Sequence, residues 1–243
     1  MCVIIIAERK RIPERYIEQS MRTNRDGAGV AWRDGRAVVW KKGMRDPDEV
    51  VELTERIPLP YIFHARISTV GSGDNPELTH PFPLNLATGT EGRSRRGVLF
   101  HNGHWSQWEN AFWSAVGQLK RIPPGAWSDS RVMAMVKRIW GNSANPMLER
   151  SRDRIVVLTP SEIEILNPTL WEKFEDWVIS NRTCIPPTPS IATSTNNWSH
   201  WHREWPAVGV SEEQRKYMAI NNMLTSIGNG DPEWTGYLTE WMY

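Results

Sequence analysis

The sequence predicts an α+β fold in which antiparallel sheets are covered by helices. Two observations support this prediction. Strand-like apolar runs recur in adjacent pairs, and segments with apolar residues at helical spacing separate those pairs. The chain has 243 residues, of which 40% are hydrophobic, so it can bury the core of one large domain or of a medium domain with an appendage.

The first predicted elements are a strand, a helix and a hairpin. Val3–Ala7 is a short apolar run rich in β-branched residues and predicts a buried strand. Apolar residues at helical spacing after Pro13 predict a helix. Residues 28–32 and 36–40 predict two strands, and the Asp-Gly pair between them favours a tight hairpin.

The next predicted elements are a helix, a strand and a long loop. Residues 46–57 predict a helix with Asp46 as N-cap and Pro47 at its first position. Residues 61–66 predict a strand. A loop rich in glycine and proline is predicted from residue 68 to about residue 96, and loops of that length in compact domains are usually functional.

The remaining elements predicted up to residue 166 are strands and helices. Residues 97–101 predict a strand, and apolar residues at helical spacing predict two helices after it. The second helix has Ser128 as its expected N-cap and Asp129 in its first turn, where a carboxylate suits the helix dipole. Residues 154–159 and 162–166 predict a pair of strands.

Composition divides the chain into three predicted parts. Residues 1–185 form the main domain, residues 186–210 a linker containing Pro, Ser, Thr and Trp, and residues 211–243 a short C-terminal helical tail. The linker carries Trp198, Trp201 and Trp205, which either anchor an interface with another protein or fold back onto the main domain.

Charge and hydropathy exclude several classes. The net charge is +1, so direct binding to nucleic acid is not expected. No apolar run approaches the roughly 18 residues of a membrane helix, and no secretory signal follows Met1, so we expect a cytoplasmic protein without membrane contact and with reduced thiols. No ligand spacing typical of a metal site and no phosphate-binding loop is present, so neither metal nor cofactor is expected.

Cys2 is the first residue that suggests chemistry. Removal of Met1 would place its thiol beside a free α-amino group. Such an amine has an unperturbed pKa of about 8 and can act as the base that activates the thiol. On position alone, a small apolar residue that opens a strand is the more common explanation.

Three further motifs follow predicted strands or begin a helix. Arg66 ends a strand, and its planar guanidinium can grip a carboxylate with two hydrogen bonds. Asn102 and Gly103 follow a strand and can together form an oxyanion hole. Asp129 opens a helix. Each motif alone is more often structural: an ion pair, a turn or a cap.

Taken together and in order, these motifs resemble the class II glutamine amidotransferase domain, an N-terminal nucleophile (Ntn) hydrolase, in its stand-alone form. The resemblance covers about residues 2–183. It implies a four-layer α/β/β/α sandwich of two antiparallel sheets, with residues 1–185 as the catalytic domain. Six segments carry it: Cys2 with its strand, Asn24-Arg25-Asp26-Gly27-Ala28-Gly29, His64-Ala65-Arg66, Thr79-His80-Pro81-Phe82, His101-Asn102-Gly103 and Ser128-Asp129-Ser130.

The resemblance implies catalytic roles for Cys2, Asn102 and Gly103. Cys2 would be the nucleophile and its α-amine the base, while Asn102 and Gly103 would stabilise the oxyanion. Loss of one such donor typically lowers the rate roughly 10²–10³-fold.

The resemblance also implies substrate-binding residues. Arg66 would hold the α-carboxylate of glutamine and Asp129 would accept from its α-ammonium group. Thr69 and His80 complete this set, with His80 also expected to tie down the long loop.

Three functions are compatible with these residues. The first is hydrolysis of L-glutamine to glutamate and ammonia through a Cys2 thioester, with ammonia passed to a separate acceptor synthase or ligase. The second is hydrolysis of a γ-glutamyl or other amide without ammonia transfer. The third is an inactive binding module, against which the intact set of site residues argues.

Overall fold

A computed structural model describes residues 1–68, 73–119 and 121–187 of the chain. Within these ranges the protein is an α+β sandwich of four layers, α/β/β/α, built on two antiparallel sheets. The predicted fold class is therefore confirmed. Nearly all of the predicted linker, the whole predicted tail and Thr69 lie outside the described residues.

The larger sheet has seven strands in the order β10-β11-β1-β4-β2-β3-β6. Its strands, in chain order, are β1 (Val3–Ala7), β2 (Ala28–Asp34), β3 (Ala37–Met44), β4 (Tyr61–Ala65), β6 (Glu91–Ser94), β10 (Glu172–Phe174) and β11 (Trp177–Ile179). All of its pairings are antiparallel. β1 therefore lies inside the sheet, with β11 on one side and β4 on the other.

The smaller sheet has four strands in the order β5-β7-β8-β9. These are β5 (Phe82–Pro83), β7 (Val98–Asn102), β8 (Arg154–Leu158) and β9 (Ile163–Leu166). Its pairings are also antiparallel.

Helices cover the outer face of each sheet. Those on the larger sheet are α1 (Glu14–Thr23) and α2 (Pro47–Arg56), and those on the smaller sheet are α3 (Trp108–Val116), α4 (Asp129–Trp140) and α5 (Asn145–Glu149). Two predicted N-caps are confirmed: Asp46 accepts from the backbone N–H of Asp48, and Ser128 accepts from that of Arg131.

Alternate side chains of β1 pack into two different hydrophobic cores of the protein. Val3 and Ile5 pack with α1 and α2, whereas Ile4 and Ile6 pack against the smaller sheet. This follows from the period-two geometry of a strand, since successive side chains point to opposite faces. Because β1 is covered on both faces, it is apolar throughout, as the sequence predicted.

The structure differs from the sequence prediction in two regions. The predicted loop from residue 68 to about residue 96 contains β5, β6 and a 3₁₀ turn at Pro76–Leu78. β10 and β11 follow the last predicted strand and were not predicted. All four strands have two to four residues, which is too few for a period-two pattern to show in the sequence.

Candidate active site

The motif residues meet because four elements begin or end at one edge of the sandwich. β1 and α4 begin at this edge, and β4 and β7 end at it. β1 begins there and the antiparallel β4 ends there, since Val3, the residue after Cys2, pairs with Ala65, the residue before Arg66. Ile4 and Phe100 point between the two sheets. Cys2 is two residues before Ile4, and Asn102 is two residues after Phe100. Because residues two apart on a strand share a face, Cys2 and Asn102 lie on the same faces as Ile4 and Phe100.

A pocket of about 320 Å³ opens at this edge. It brings together six of the seven predicted site residues: Cys2, Arg66, His80, Asn102, Gly103 and Asp129. Thr69 lies outside the described residues, so its role stays a prediction. The volume falls within the range of ligand pockets, roughly 300–1,000 Å³.

The thiol of Cys2 lies against the backbone that follows Arg66. Its Sγ is 3.4 Å from both the backbone nitrogen and the carbonyl oxygen of Ile67. Burial raises the pKa of Cys2, while the Ile67 N–H, the amino terminus and Arg66 oppose that rise. The thiol therefore needs a base to become a thiolate at neutral pH.

The carbonyl oxygen of Cys2 is held by two side-chain amides. Nδ2 of Asn102 and Nδ2 of Asn181 each donate to it at 2.7 Å. Asn102 also donates to Oγ of Ser180 at 2.9 Å, and Ser180 accepts from the backbone N–H of Ile4 at 2.8 Å. Two segments far apart in sequence thus fix the backbone of Cys2 and the start of β1.

Arg66 lines the pocket and has one unsatisfied N–H group within the described part of the chain. Its Nη2 donates to Oγ of Ser68 at 3.0 Å, whereas Nη1 is buried and has no hydrogen-bond partner within the described part of the chain. Its backbone is fixed, since its N–H donates to Gly27 at 2.9 Å and its carbonyl accepts from Asp26 at 3.0 Å. A buried N–H group without a partner is costly, so this position suits an incoming acceptor.

The segment Asn24–Gly29 braces this cation. Oδ2 of Asp26 accepts from the backbone N–H of Ser68 at 2.5 Å. Gly29 lies so close to His80 that a Cβ would be 1.8 Å from the His80 carbonyl oxygen. Close backbone approach therefore explains the glycine at position 29.

Asp129 sits at the start of α4 and faces the same pocket. Its Oδ2 accepts from the backbone N–H of Trp105 at 3.1 Å, and its Oδ1 accepts from that of Ser130 at 2.7 Å. Its side chain is 16% exposed. A partly exposed carboxylate at this position can still accept from a ligand cation.

His80 is a buried neighbour of Arg66. Its ring stacks on His64 with centroids 4.1 Å apart, and burial is the main cause that lowers the pKa of His64 to about 3 and that of His80 well below its ordinary value. Both rings are therefore neutral at physiological pH. Because both histidines are neutral, Arg66 is the charged member of this group, and a negatively charged group of a substrate can pair with it.

The loop that carries His80 is tied to β3. Nζ of Lys42 donates to the carbonyl oxygens of Glu77 at 2.7 Å and Pro81 at 3.2 Å. Burial, with the positive charge of Arg131 nearby, lowers the pKa of Lys42 to about 7. The predicted long loop is thus held in place before its midpoint, at Glu77 and Pro81.

Several polar residues of this edge were missed by sequence reasoning. Ser180 and Asn181 follow β11, and Asp153 precedes β8, so each lies at a strand terminus beside the pocket. Polar residues directly after an apolar run could have indicated Ser180 and Asn181. Asp153 is identified only through the pairing of β7 with β8.

Among the described residues, no group of three or more His, Cys, Asp or Glu side chains could hold a metal ion. None of the helices within residues 1–68, 73–119 and 121–187 is long and apolar enough to cross a membrane.

Comparison with solved structures identifies the fold. A glutamine phosphoribosylpyrophosphate amidotransferase from B. subtilis, complexed with ADP and GMP, aligns with a TM-score of 0.52 and 17% identity over 76% of this chain. A structure described as the allosteric regulatory enzyme of purine biosynthesis aligns with a TM-score of 0.52 and 16% identity, also over 76% of this chain. A class-II glutamine aminotransferase domain protein from Silicibacter pomeroyi gives a TM-score of 0.45 and 13% identity, over 74% of this chain and 87% of its own.

The alignments with the first two structures span 42% of each of those chains. No protein-family model matches the sequence, and no curated protein sequence matches it either. The likeness to the first two structures therefore shows the fold, which this chain shares with a glutamine phosphoribosylpyrophosphate amidotransferase over the aligned region. The resemblance inferred from the sequence motifs is confirmed at that level.

Proposed function

We propose that this chain is a glutamine amidotransferase subunit, which hydrolyses L-glutamine to glutamate and ammonia through a thioester on Cys2. One observation carries the proposal: Cys2, Arg66 and Asp129 line one pocket, and Nη1 of Arg66 has no hydrogen-bond partner among the described residues. A nucleophile between a buried cation and a carboxylate matches an amino acid, whose head group carries both charges.

Arg66 and Asp129 orient the substrate. The guanidinium of Arg66 binds the α-carboxylate, and Asp129 accepts from the α-ammonium group. Charge-assisted hydrogen bonds of this kind contribute about 1.5–3 kcal/mol each. Two such anchors direct the side-chain amide toward the thiol and favour free glutamine over a glutamine within a protein.

Activation of Cys2 follows removal of Met1. Met1 is 71% exposed and lines the pocket. The freed α-amine of Cys2 takes the thiol proton, directly or through a water molecule. This base is needed because burial raises the pKa of the thiol.

The reaction then has two stages. The Cys2 sulfur bonds to the amide carbon, and the oxyanion is stabilised by Asn102 and by the backbone N–H of Gly103. The carbon–nitrogen bond breaks and ammonia leaves with the proton that the α-amine took from the thiol. Water then attacks the γ-glutamyl thioester, which releases glutamate and returns the thiol.

We propose that ammonia passes to a separate acceptor synthase or ligase. The first two structures aligned above are more than twice as long as the region they share with this chain. Nothing in residues 1–187 supplies a second catalytic domain, because the described ranges are occupied by the four-layer sandwich.

Glutamate release by purified protein tests the proposal. We expect loss of Met1 by mass spectrometry, glutamate release from glutamine, and no release above background by Cys2→Ala. Cys184→Ala is the matched control, because Cys184 is buried away from the pocket and burial raises its pKa to about 11. It should retain wild-type activity.

The alternatives give different results in the same assay. Activity toward γ-glutamyl amides but not glutamine indicates the second function. Failure of a diazo-ketone analogue of glutamine to label Cys2, together with no hydrolysis of either substrate, indicates an inactive binding module.

A further inference from the structure

Asp153 lies directly beneath the turn formed by Asn102, Gly103 and His104. The pairing of β7 with β8 sets Asn102 opposite Arg154, so Asp153 is next to the residue that follows Asn102. A Cβ at Gly103 would lie only 2.0 Å from Oδ1 of Asp153. The backbone N–H of His104 donates to the Asp153 carboxylate. The carboxylate thus contacts the turn at two successive residues.

Asp153 also begins a series of polar contacts that runs to Asp129. Its Oδ2 lies 3.2 Å from Nε2 of His101, an ion-pair distance, although the N–H is not aligned for an ideal hydrogen bond. The other ring nitrogen of His101 is 2.8 Å from Oγ of Ser130. Oγ of Ser130 is in turn 3.2 Å from Oδ1 of Asp129. His101 and Ser130 are both buried.

We propose that Asp153 is a positioning residue for glutamine hydrolysis, which holds the oxyanion-binding turn and, through His101 and Ser130, sets its place relative to Asp129. This inference rests on the proposed function. Gly103 and Asp129 contact opposite ends of the substrate, the amide oxygen and the α-ammonium group. A rigid link between them fixes the geometry in which the thiol meets the amide carbon.

The charge of Asp153 suits this role. Burial alone would raise the pKa of Asp153, but the His101 ring 3.2 Å away, together with Ser151 and the His104 N–H, holds the pKa below its ordinary value. The ionised carboxylate accepts from the His104 N–H and so holds the backbone of the turn. Misplacement of a reacting group by about 1 Å can cost 10²-fold in rate, so a small shift of the turn is measurable.

Steady-state kinetics with the full chain test the positioning role. We expect Asp153→Ala to lower kcat about 10–100-fold while KM for glutamine changes less than about threefold, since the head-group anchors stay in place. Asp153→Asn should restore part of kcat, because its amide oxygen can still accept one N–H.

Glu164→Gln is the matched control for a merely structural effect. Glu164 is also a partly buried carboxylate on the smaller sheet, and it accepts from Lys137 and Asn145 away from the pocket. This variant should lose stability and keep kcat. Wild-type kcat in Asp153→Ala, or an equal fall of kcat in both variants, would overturn the inference.

Amide hydrogen exchange tests the same inference without substrate. The His104 amide should be protected in the wild type and should exchange at least about tenfold faster in Asp153→Ala, while Val156 and Val157 in β8 stay protected. Absence of glutaminase activity in the wild type refutes the proposed function, yet the exchange result still decides the positioning role. An unprotected His104 amide in the wild type overturns it.

Discussion

The side-chain amide nitrogen of Asn102 lies 2.7 Å from the carbonyl oxygen of Cys2. The amide therefore touches the residue proposed as nucleophile before any substrate arrives. Both of its N–H groups have acceptors, Cys2 and Ser180. We infer that one of these bonds is exchanged for a bond to the oxyanion during the reaction.

Asn102→Ala should lower kcat about 10²–10³-fold, because one oxyanion donor is lost. Asn181→Ala is the control, since Asn181 donates to the same carbonyl oxygen at the same distance without a proposed oxyanion role. We expect it to lower kcat less than about tenfold. Equal losses in the two variants, measured by glutamate release, would assign both side chains to anchoring Cys2 alone.

Arg66→Lys should weaken glutamine binding, because lysine keeps the charge but cannot form two parallel hydrogen bonds. Loss of a charge-assisted bond of about 1.5–3 kcal/mol corresponds to a rise in KM of roughly 10–150-fold. Arg56→Lys is the control. Arg56 is exposed and pairs with Glu52 on the same helix, so the KM of this variant should be that of the wild type.

Gly29→Ala should destabilise the fold, because the new Cβ would lie 1.8 Å from the backbone oxygen of His80. Such overpacking typically costs about 1–3 kcal/mol, or a fall of several degrees in Tm. Gly117→Ala provides the comparison. Gly117 has φ −60° and ψ −17°, and a Cβ there would meet nothing within 4 Å. Thermal unfolding should show no loss for it, and equal losses would contradict the role assigned to Gly29.

Stability should fall as pH is lowered from about 6.5 toward 3. Burial lowers the pKa of His64 to about 3, so between these values the unfolded chain binds a proton that the folded protein does not. Each pH unit in this window costs about 1.4 kcal/mol for one such histidine. His64→Phe cannot take up the proton and should show a shallower dependence in denaturant unfolding. Parallel curves for the two proteins would contradict this prediction.

Much of the fold and of the site could be predicted because the long elements carry clear patterns. β1 is apolar throughout, and α4 shows both helical spacing and a cap. The motif residues Cys2, Arg66 and Asn102 each flank a strand, and antiparallel pairing brings those ends together. The sequence predicted that these residues flank strands, the resemblance to a known family grouped them, and the strand pairings account for their meeting at one edge.

The remaining features depend on pairings that leave little trace in the sequence. Asn181 reaches Cys2 because β11 pairs with β1, with Ile5 opposite Ile179. β11 has only three residues, so periodicity could not predict it. Asp153 resembles an ordinary turn residue until β8 places it beside Gly103. These contacts lie between residues 50 to 180 positions apart, which local patterns do not encode.

The interior position of β1 has a consequence for how firmly the proposed nucleophile is held in place. Chain ends normally fray, but Val3–Ala7 is wholly buried and hydrogen-bonded on both sides. Amides in this segment should exchange with solvent only when the whole domain opens. We therefore expect the thiol of Cys2, one residue before β1, to stay in position while the domain is folded. Thermal inactivation should then coincide with global unfolding.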